Sequence, residues 1–145
     1  MSSRATRLQP AADLARERQE AAMQKLAEHQ QRVAKAEQQL LELQRYREEY
    51  GENADGVSIA VLLNRRRFVE RIDQVIAQQT IEVARLNRQL DHARGQWRDA
   101  HAREQALGSV SERFREQERK SEERREQAEI DERMQHRRPH RAQPR

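Results

Sequence analysis

The sequence predicts an all-α protein in which two long helices pair as an antiparallel coiled-coil hairpin, with the second helix the longer. Charged residues make up 37% of the 145 positions and hydrophobic residues 34%, with only four glycines and three prolines. This composition is typical of long, exposed helices. The apolar residues recur in alternating steps of three and four, the period of a coiled coil. One cluster of turn-forming residues, from Gly51 to Gly56, interrupts that pattern.

The first helix is predicted over about residues 10–50. Pro10 suits the first turn of a helix, where the missing N–H has no helical partner to lose. The coiled-coil period then defines a seam through the following positions, ten of thirteen of them apolar: Leu8, Ala12, Ala15, Gln19, Ala22, Leu26, His29, Val33, Ala36, Leu40, Leu43, Arg47 and Tyr50.

Residues 51–57 are predicted to form the turn, and the second helix is predicted over about residues 58–134, with Ser58 as its N-cap. Twelve of the sixteen positions of its seam are apolar: Leu62, Arg65, Val69, Ile72, Ile76, Gln79, Val83, Leu86, Leu90, Ala93, Trp97, Ala100, Glu104, Leu107, Ser111 and Phe114. Residues 1–135 therefore form one hairpin domain. Residues 136–145 are basic and interrupted by proline, so we expect a disordered tail.

A short turn makes the two helices antiparallel neighbours. If the chain folds about residue 54, the numbers of paired residues add up to about 108. This register places Ala22 opposite Leu86 and His29 opposite Gln79, the second pair forming a polar layer in the seam. It places Leu40 opposite Phe68 or Val69.

The same register leaves everything after about Glu104 without an intramolecular partner. Leu107, Val110 and Phe114 would then form an exposed apolar strip on a single helix. Strips of this kind usually mark binding sites.

The sequence contains no pattern that indicates catalysis, a metal site or a cofactor. Its glycines do not form a phosphate-binding loop, and its histidines do not lie at ligand spacing. We therefore expect a binding or scaffolding protein and not an enzyme. The 29 basic and 25 acidic residues are interspersed, which indicates solvated helix faces more than a nucleic-acid stripe. Without a long apolar run or a signal peptide, the chain is expected to be soluble and cytoplasmic.

Three of the five aromatic residues, Tyr46, Tyr50 and Phe68, lie close to the predicted turn. They either cap the coiled coil or form a docking surface, and the two interpretations are compatible. Tyr is among the residues that contribute most to protein interfaces.

The chain resembles the FliJ family of bacterial flagellar type III export over most of residues 4–135. The resemblance rests on Arg7-Leu-Gln-Pro10, on the segment from Ala36 to Tyr50, and on Gly56-Val-Ser58 before the second helix. It also rests on Asn64 to Phe68 followed by Ile76-Ala-Gln-Gln79, and on Trp97. The resemblance implies a cytoplasmic antiparallel coiled coil similar to the central stalk of rotary ATPases, peripherally associated with the inner membrane at the flagellar base.

The resemblance also implies partners: the export ATPase hexamer, the cytoplasmic domain of the export gate protein, and export chaperones. The gate-binding surface carries over to Gln39, Leu43, Tyr46, Tyr50, Phe68, Ile72, Val75 and Gln79. Some relatives have Leu, Ala and His at the last three positions. The ATPase ring is expected at the end that holds both termini, through Leu8, Leu107, Val110 and Phe114.

Three alternatives stay open at this stage. The chain could be the stalk protein of a virulence type III secretion system, which shares the architecture. It could be a self-associating structural coiled coil. It could also bind nucleic acid through the arginines of its C-terminal tail, with an affinity that falls steeply as salt rises.

Overall fold

The computed structural model describes residues 3–52 and 58–137. Two α-helices, α1 (Arg4–Glu52) and α2 (Ile59–Arg137), account for nearly all of them, and these two ranges contain no strand. The helices pack against each other, so the predicted all-α antiparallel hairpin with a longer second helix is confirmed. Gly51 and Glu52, predicted to be in the turn, belong to α1. The remainder of the predicted turn and residues 138–145 of the predicted tail lie outside the described residues.

The start of α1 lies six residues before the predicted start at Pro10, which stands inside the helix. Ser3 caps the helix: its side-chain oxygen accepts the Thr6 amide at 3.1 Å. A contact from α2 adds to this, because Glu118 Oε1 accepts the amide of Ala5 at 3.3 Å. First-turn amides have no partner inside a helix. The cap and the contact from α2 thus support the turn that precedes Pro10.

α2 begins as predicted from Ser58. The carbonyl of Ser58 accepts the amide of Leu62 at 3.0 Å, the first backbone bond of the helix. This is the geometry of an N-cap residue.

The chain divides into two compact units, each containing a segment of α1 and a segment of α2. The central unit is Arg18–Ala100, and the terminal unit combines Met1–Glu17 with His101–Arg145.

The core of the central unit is a narrow seam between the two helices. Its buried cluster consists of Val33, Ala36, Leu86 and Leu90, and two partly buried side chains, Leu26 and Val83, pack against it. Alanine allows the helix backbones to approach closely while leucine and valine fill the space beside it. Every described α1 residue of this unit that is buried or half-buried stands at a position that the heptad pattern assigns to the seam.

In the terminal unit the buried residues are Ala5, Ala15 and Ser111. The expectation that residues after Glu104 have no intramolecular partner is wrong. Arg115 donates to Gln9 Oε1 at 3.1 Å, beside the bond between Ala5 and Glu118. The segment without burial starts later, because every described residue from position 119 to 137 is exposed.

The predicted register of the central unit is also wrong. Leu86 was predicted to lie opposite Ala22, but it packs in one cluster with Val33 and Ala36. The numbers of contacting residues add up to 115 for Ala36 with Gln79 and to 120 for Arg47 with Asp73. The predicted value was about 108. A heptad seam repeats itself, so a slide of one heptad or more still buries the same positions.

The same correction applies to the other predicted pairs. Gln79 bonds to the Ala36 carbonyl and to Gln39, so the predicted polar layer of His29 with Gln79 does not form. Phe68 lies against Tyr46 and Tyr50, further along α1 than the predicted Leu40.

The observed register leaves the first two turns of α2 beyond the end of α1. Phe68 lies beside Tyr50, and α1 ends two residues later at Glu52. The residues of α2 that precede this level are strongly exposed despite their apolar character. The exposed fractions are 77% for Ile59, 45% for Val61, 39% for Leu62 and 55% for Leu63. We call Ile59–Leu63 the apolar tip.

Removing a seam side chain is expected to destabilise the hairpin. Leu90 is 6% exposed and Leu63 is 55% exposed, which makes them a matched pair of leucines on one helix. Leu90→Ala should lower the free energy of unfolding by about 2–3 kcal/mol, because it removes buried apolar surface and leaves a cavity. Leu63→Ala should change it by less than about 0.5 kcal/mol. Urea unfolding followed by circular dichroism measures both, and equal effects would contradict this assignment of the seam.

Candidate functional site

Three aromatic rings meet on the surface of the central unit. Tyr46 and Tyr50 are one turn apart on α1, and Phe68 comes from α2. Ring centroids are 4.8 Å apart for Tyr46 with Tyr50, 4.8 Å for Tyr50 with Phe68, and 6.1 Å for Tyr46 with Phe68. The rings are tilted or edge-on, the arrangements that aromatic pairs favour. We call these three residues the aromatic cluster.

The aromatic cluster is not buried by the hairpin. Tyr46 is 43% exposed, Phe68 39% and Tyr50 37%. The rings therefore join the two helices and still present apolar surface to solvent. The rings contact one another across the hairpin and also form an exposed surface, and their role in docking stays a prediction.

A hydrogen bond links the two tyrosines, with Tyr46 Oη donating to Tyr50 Oη at 3.3 Å. This hydrogen bond, together with the nearby Tyr50 and Glu49, raises the pKa of Tyr46 above its ordinary value. The direction follows from the donor role, because a phenol that donates its proton is stabilised in the neutral form. Tyr46 thus remains uncharged throughout the physiological range.

An ion pair ties the helices together beside the aromatic cluster. Arg47 Nε donates to Asp73 Oδ1, and Arg47 Nη2 lies 3.5 Å from Asp73 Oδ2. The bond to Asp73 raises the pKa of Arg47. Both side chains are 46% exposed, so the pair contributes little net stability. The pair matters more for the alignment of the two helices, because it links one position of α1 to one position of α2.

A shallow groove continues from the aromatic cluster along the helix pair. Its lining residues are Gln39, Glu42, Leu43, Tyr46 and Gln79. The side-chain amide of Gln79 crosses between the helices and donates to the Ala36 carbonyl at 3.1 Å and to Gln39 Oε1 at 3.3 Å. The groove therefore has an aromatic end and an amide end, with the half-buried Leu43 between them.

The structure thus brings most of the sequence-predicted gate residues together. One of the eight differs in character: Ile72 is buried in the seam at 6%, whereas Val75, for example, is 45% exposed. Ile72 contributes to packing beneath this surface and presents almost no area of its own. We call the other seven residues the groove surface: Gln39, Leu43, Tyr46, Tyr50, Phe68, Val75 and Gln79.

The residues predicted to face the ATPase ring all lie in the terminal unit. Phe114 and Leu8 line one small depression together with Arg4 and Arg7. The guanidinium of Arg4 lies 5.8 Å from the centroid of the Phe114 ring, a cation–π distance.

Burial in the terminal unit differs from the predicted exposed strip. Leu107 and Phe114 are half-buried, and Val110 is 36% exposed. The strip is therefore partly covered by the start of α1, and Val110 is its most accessible apolar member.

Sequence reasoning missed two features of this site. The ion pair of Arg47 with Asp73 and the exposure of the apolar tip both depend on the register, and no local pattern reports it. One signal was present: Ile59–Leu63 is an unbroken apolar run, which a half-buried helix does not need.

The described residues hold no group of His, Cys, Asp or Glu suited to bind a metal ion. Neither described helix has a stretch that is long and apolar enough to cross a membrane.

Replacing Tyr50 by Phe should lower the pKa of Tyr46 towards that of a free phenol. The substitution removes the acceptor of the Tyr46 hydrogen bond and keeps the ring. Because the chain has two tyrosines, Tyr50→Phe leaves a single one whose ionisation can be followed by tyrosinate absorbance. The control is Tyr46→Phe, which reports Tyr50 alone. A midpoint for Tyr46 that stays in place or rises would contradict the assigned hydrogen bond.

Comparison with known proteins identifies the family of this helical hairpin. The family model described as "Flagellar FliJ protein" matches residues 3–143, nearly the whole chain. No individual curated protein matches the chain at a significant level. The family consists of non-catalytic stalk or escort proteins of the export apparatus. The chain belongs to the FliJ family and is a component of flagellar type III protein export.

Proposed function

We propose that the chain is a non-catalytic adaptor of the flagellar export apparatus that docks on the export gate through the groove surface. The observation that carries the proposal is the aromatic cluster: three rings in mutual contact, each more than a third exposed. Aromatic side chains held rigidly at a surface lose little conformational entropy on binding. They are therefore enriched among the residues that dominate interface energies.

The surroundings of the aromatic cluster support the same interpretation. The cluster continues into a groove that ends at the side chains of Gln39 and Gln79. An apolar anchor beside polar groups that fix orientation is the usual anatomy of a specific interface. The partner we assign to it is the cytoplasmic domain of the export gate protein, which the family membership supports.

The second docking surface that we propose lies in the terminal unit and faces the hexameric export ATPase. It comprises Leu8, Leu107, Val110 and Phe114, with Arg4 and Arg7 beside them. The partial burial of Leu8, Leu107 and Phe114 makes this a pre-formed surface, since the start of α1 already covers one side. Arg4 and Arg7 would contact acidic or carbonyl groups around the entrance of the ring.

The proposed role also includes the escort of export chaperones to the gate, and a cytoplasmic location at the base of the flagellum, peripheral to the inner membrane. Family membership supports both. It favours flagellar export over a virulence secretion system, because the matching family model is the flagellar one.

Truncation of any ring of the aromatic cluster should weaken gate binding. Tyr46→Ala, Tyr50→Ala and Phe68→Ala should each weaken the complex with the purified gate cytoplasmic domain about 30-fold, the equivalent of about 2 kcal/mol. Ile81→Ala is the matched control, since Ile81 is 69% exposed on the same helix of the same unit and lies outside the groove. Isothermal titration calorimetry measures the affinities, and circular dichroism confirms that each variant is folded.

Two results would contradict the gate proposal. One is wild-type affinity in all three aromatic variants. The other is an equal loss in Ile81→Ala, which would indicate a general effect on the helix pair.

A charge at the centre of the terminal surface should uncouple the chain from the ATPase. Wild-type protein should increase hexamer formation and ATP hydrolysis by the purified export ATPase. Val110→Asp should remove most of that increase, because a carboxylate in an apolar contact must be desolvated. Ile130→Asp is the control: Ile130 is 48% exposed on the same helix and outside the proposed surface. No stimulation by the wild type, or full stimulation by Val110→Asp, would contradict the proposal.

A further inference from the structure

We propose that the apolar tip of α2 inserts into an anionic lipid surface, so that the protein contacts the membrane directly. This inference goes beyond the proposed docking on the gate and the ATPase and does not depend on either. It rests on the apolar tip, on the arginines that follow it, and on the distance between the two groups.

The apolar tip is exposed on all sides of the helix. Ile59, Ala60, Val61, Leu62 and Leu63 are consecutive, and each is exposed. Successive residues of an α-helix are rotated by about 100°, so five of them surround the helix axis. A groove on a partner protein needs an apolar stripe along one face, with a spacing of three and four. An end that is apolar all round is suited to an apolar medium that surrounds it.

A ring of positive charge follows the apolar tip. Arg65, Arg66 and Arg67 are consecutive and point in three different directions around the helix. Between Ser58 and Val69 the sequence contains no acidic residue. Arg66 and Arg67 are exposed, and none of the three makes an ion pair with a side chain of residues 3–51 or 58–137.

Arg65 carries a separate sign of an unsatisfied charge. It is half-buried, and its Nη1 atom is buried without a hydrogen-bond partner in the part of the chain that the structure describes. A buried guanidinium N–H is costly when it is left unpaired. Arg66 and Arg67, which are exposed, are therefore the arginines placed to contact a lipid phosphate, and Arg65 adds positive charge beside them.

The spacing of the two groups matches a membrane interface. The rise of about 1.5 Å per residue places the three arginines about 9–12 Å below Ile59. Interfacial segments bury apolar side chains about 5–10 Å into the boundary between headgroups and acyl chains. With the tip at this depth, the guanidinium groups lie at the level of the lipid phosphates, to which arginine bonds in a bidentate manner.

The electrostatics of the helix end act in the same direction. The N-terminus of α2 carries the positive end of the helix dipole, which favours a negatively charged surface. The nearest acidic residues of α2 are Glu70 and Asp73, and Asp73 is paired with Arg47. On α1, Glu52 ends the helix at about the level of Arg66, and Glu48 and Glu49 lie near the level of Glu70, given the contact of Tyr50 with Phe68. The three consecutive arginines therefore outnumber the acidic residues of the two helices at their level.

Vesicle binding by the full-length protein tests this inference without any export partner. Sedimentation with vesicles of phosphatidylethanolamine and phosphatidylglycerol is compared with sedimentation with phosphatidylethanolamine and phosphatidylcholine, at physiological ionic strength. The wild type should bind the anionic vesicles and leave the neutral ones. Ile59→Ser with Leu63→Ser should weaken binding at least about tenfold, because two apolar side chains no longer enter the lipid. Arg66→Gln with Arg67→Gln should weaken it about fivefold for each charge removed.

Matched controls separate the tip from the rest of this basic chain. Ile81→Ser replaces an exposed isoleucine of the same helix, and Arg88→Gln with Arg98→Gln removes two exposed charges about 30 Å or more away. These variants should bind as the wild type does. Binding that survives Ile59→Ser with Leu63→Ser unchanged would assign the attraction to another basic segment, such as the C-terminal arginines, and would overturn the inference.

The depth of the tip can be measured as well, because the chain has no cysteine. A fluorophore on Asn64→Cys should be quenched by a nitroxide on the lipid chain just below the headgroup, while one on Gln78→Cys should not. Equal quenching at both positions, or none at Asn64→Cys, would overturn the inference. A loss of gate binding in the tip variants without any vesicle binding by the wild type would show instead that the tip is a protein contact.

Discussion

The structure depends on one constraint: a chain with few apolar residues must bury them between two helices, because it cannot build a thicker core. No side chain among the described residues is fully buried, and the core cluster of the central unit contains only four. Ala36 beside Leu86 and Leu90 illustrates the solution, since a small side chain on one helix lets larger ones from the other approach the backbone. The helices must then be long, because each turn adds only one or two seam residues to the apolar surface that the pair buries.

A repeating seam determines which faces meet but not at which level they meet. In the central unit, contacts that do not repeat determine that level. Gln79 reaches the Ala36 carbonyl, Arg47 pairs with Asp73, and Phe68 lies against the two tyrosines. The exposed ion pair of Arg47 with Asp73 contributes little to stability by itself. Together the three contacts distinguish one register from others that bury the same apolar area, in the way that single polar residues specify alignment in coiled coils.

The register in turn produces the surfaces on which the proposed functions depend. It brings Phe68 beside Tyr46 and Tyr50, so that rings from two helices form one exposed cluster. It also carries the start of α2 past the end of α1, which exposes Ile59 and Leu63 and places the arginine ring behind them. In the terminal unit, the extension of α1 back to Arg4 covers one side of Phe114. The aromatic cluster, the terminal surface and the apolar tip are thus three separate exposed features, and each is the basis of one of the proposals above.

The sequence by itself determined the helices, their seams and the family. From Leu8 to Leu43 the seam residues predicted from the heptad period are buried or half-buried, and the same holds for α2 from Arg65 to Phe114. The reason is that periodicity is a local property, which every turn of the helix repeats. Only the tertiary structure decided the start of α1 and the register. Glu118 accepts a hydrogen bond from the amide of Ala5, 113 residues away, and Gln79 bonds to Ala36 and not to His29. No local pattern in the sequence indicates either contact. The aromatic cluster could therefore be predicted as a set of residues, whereas the pairing of its rings across the helices and the apolar tip beside it could not.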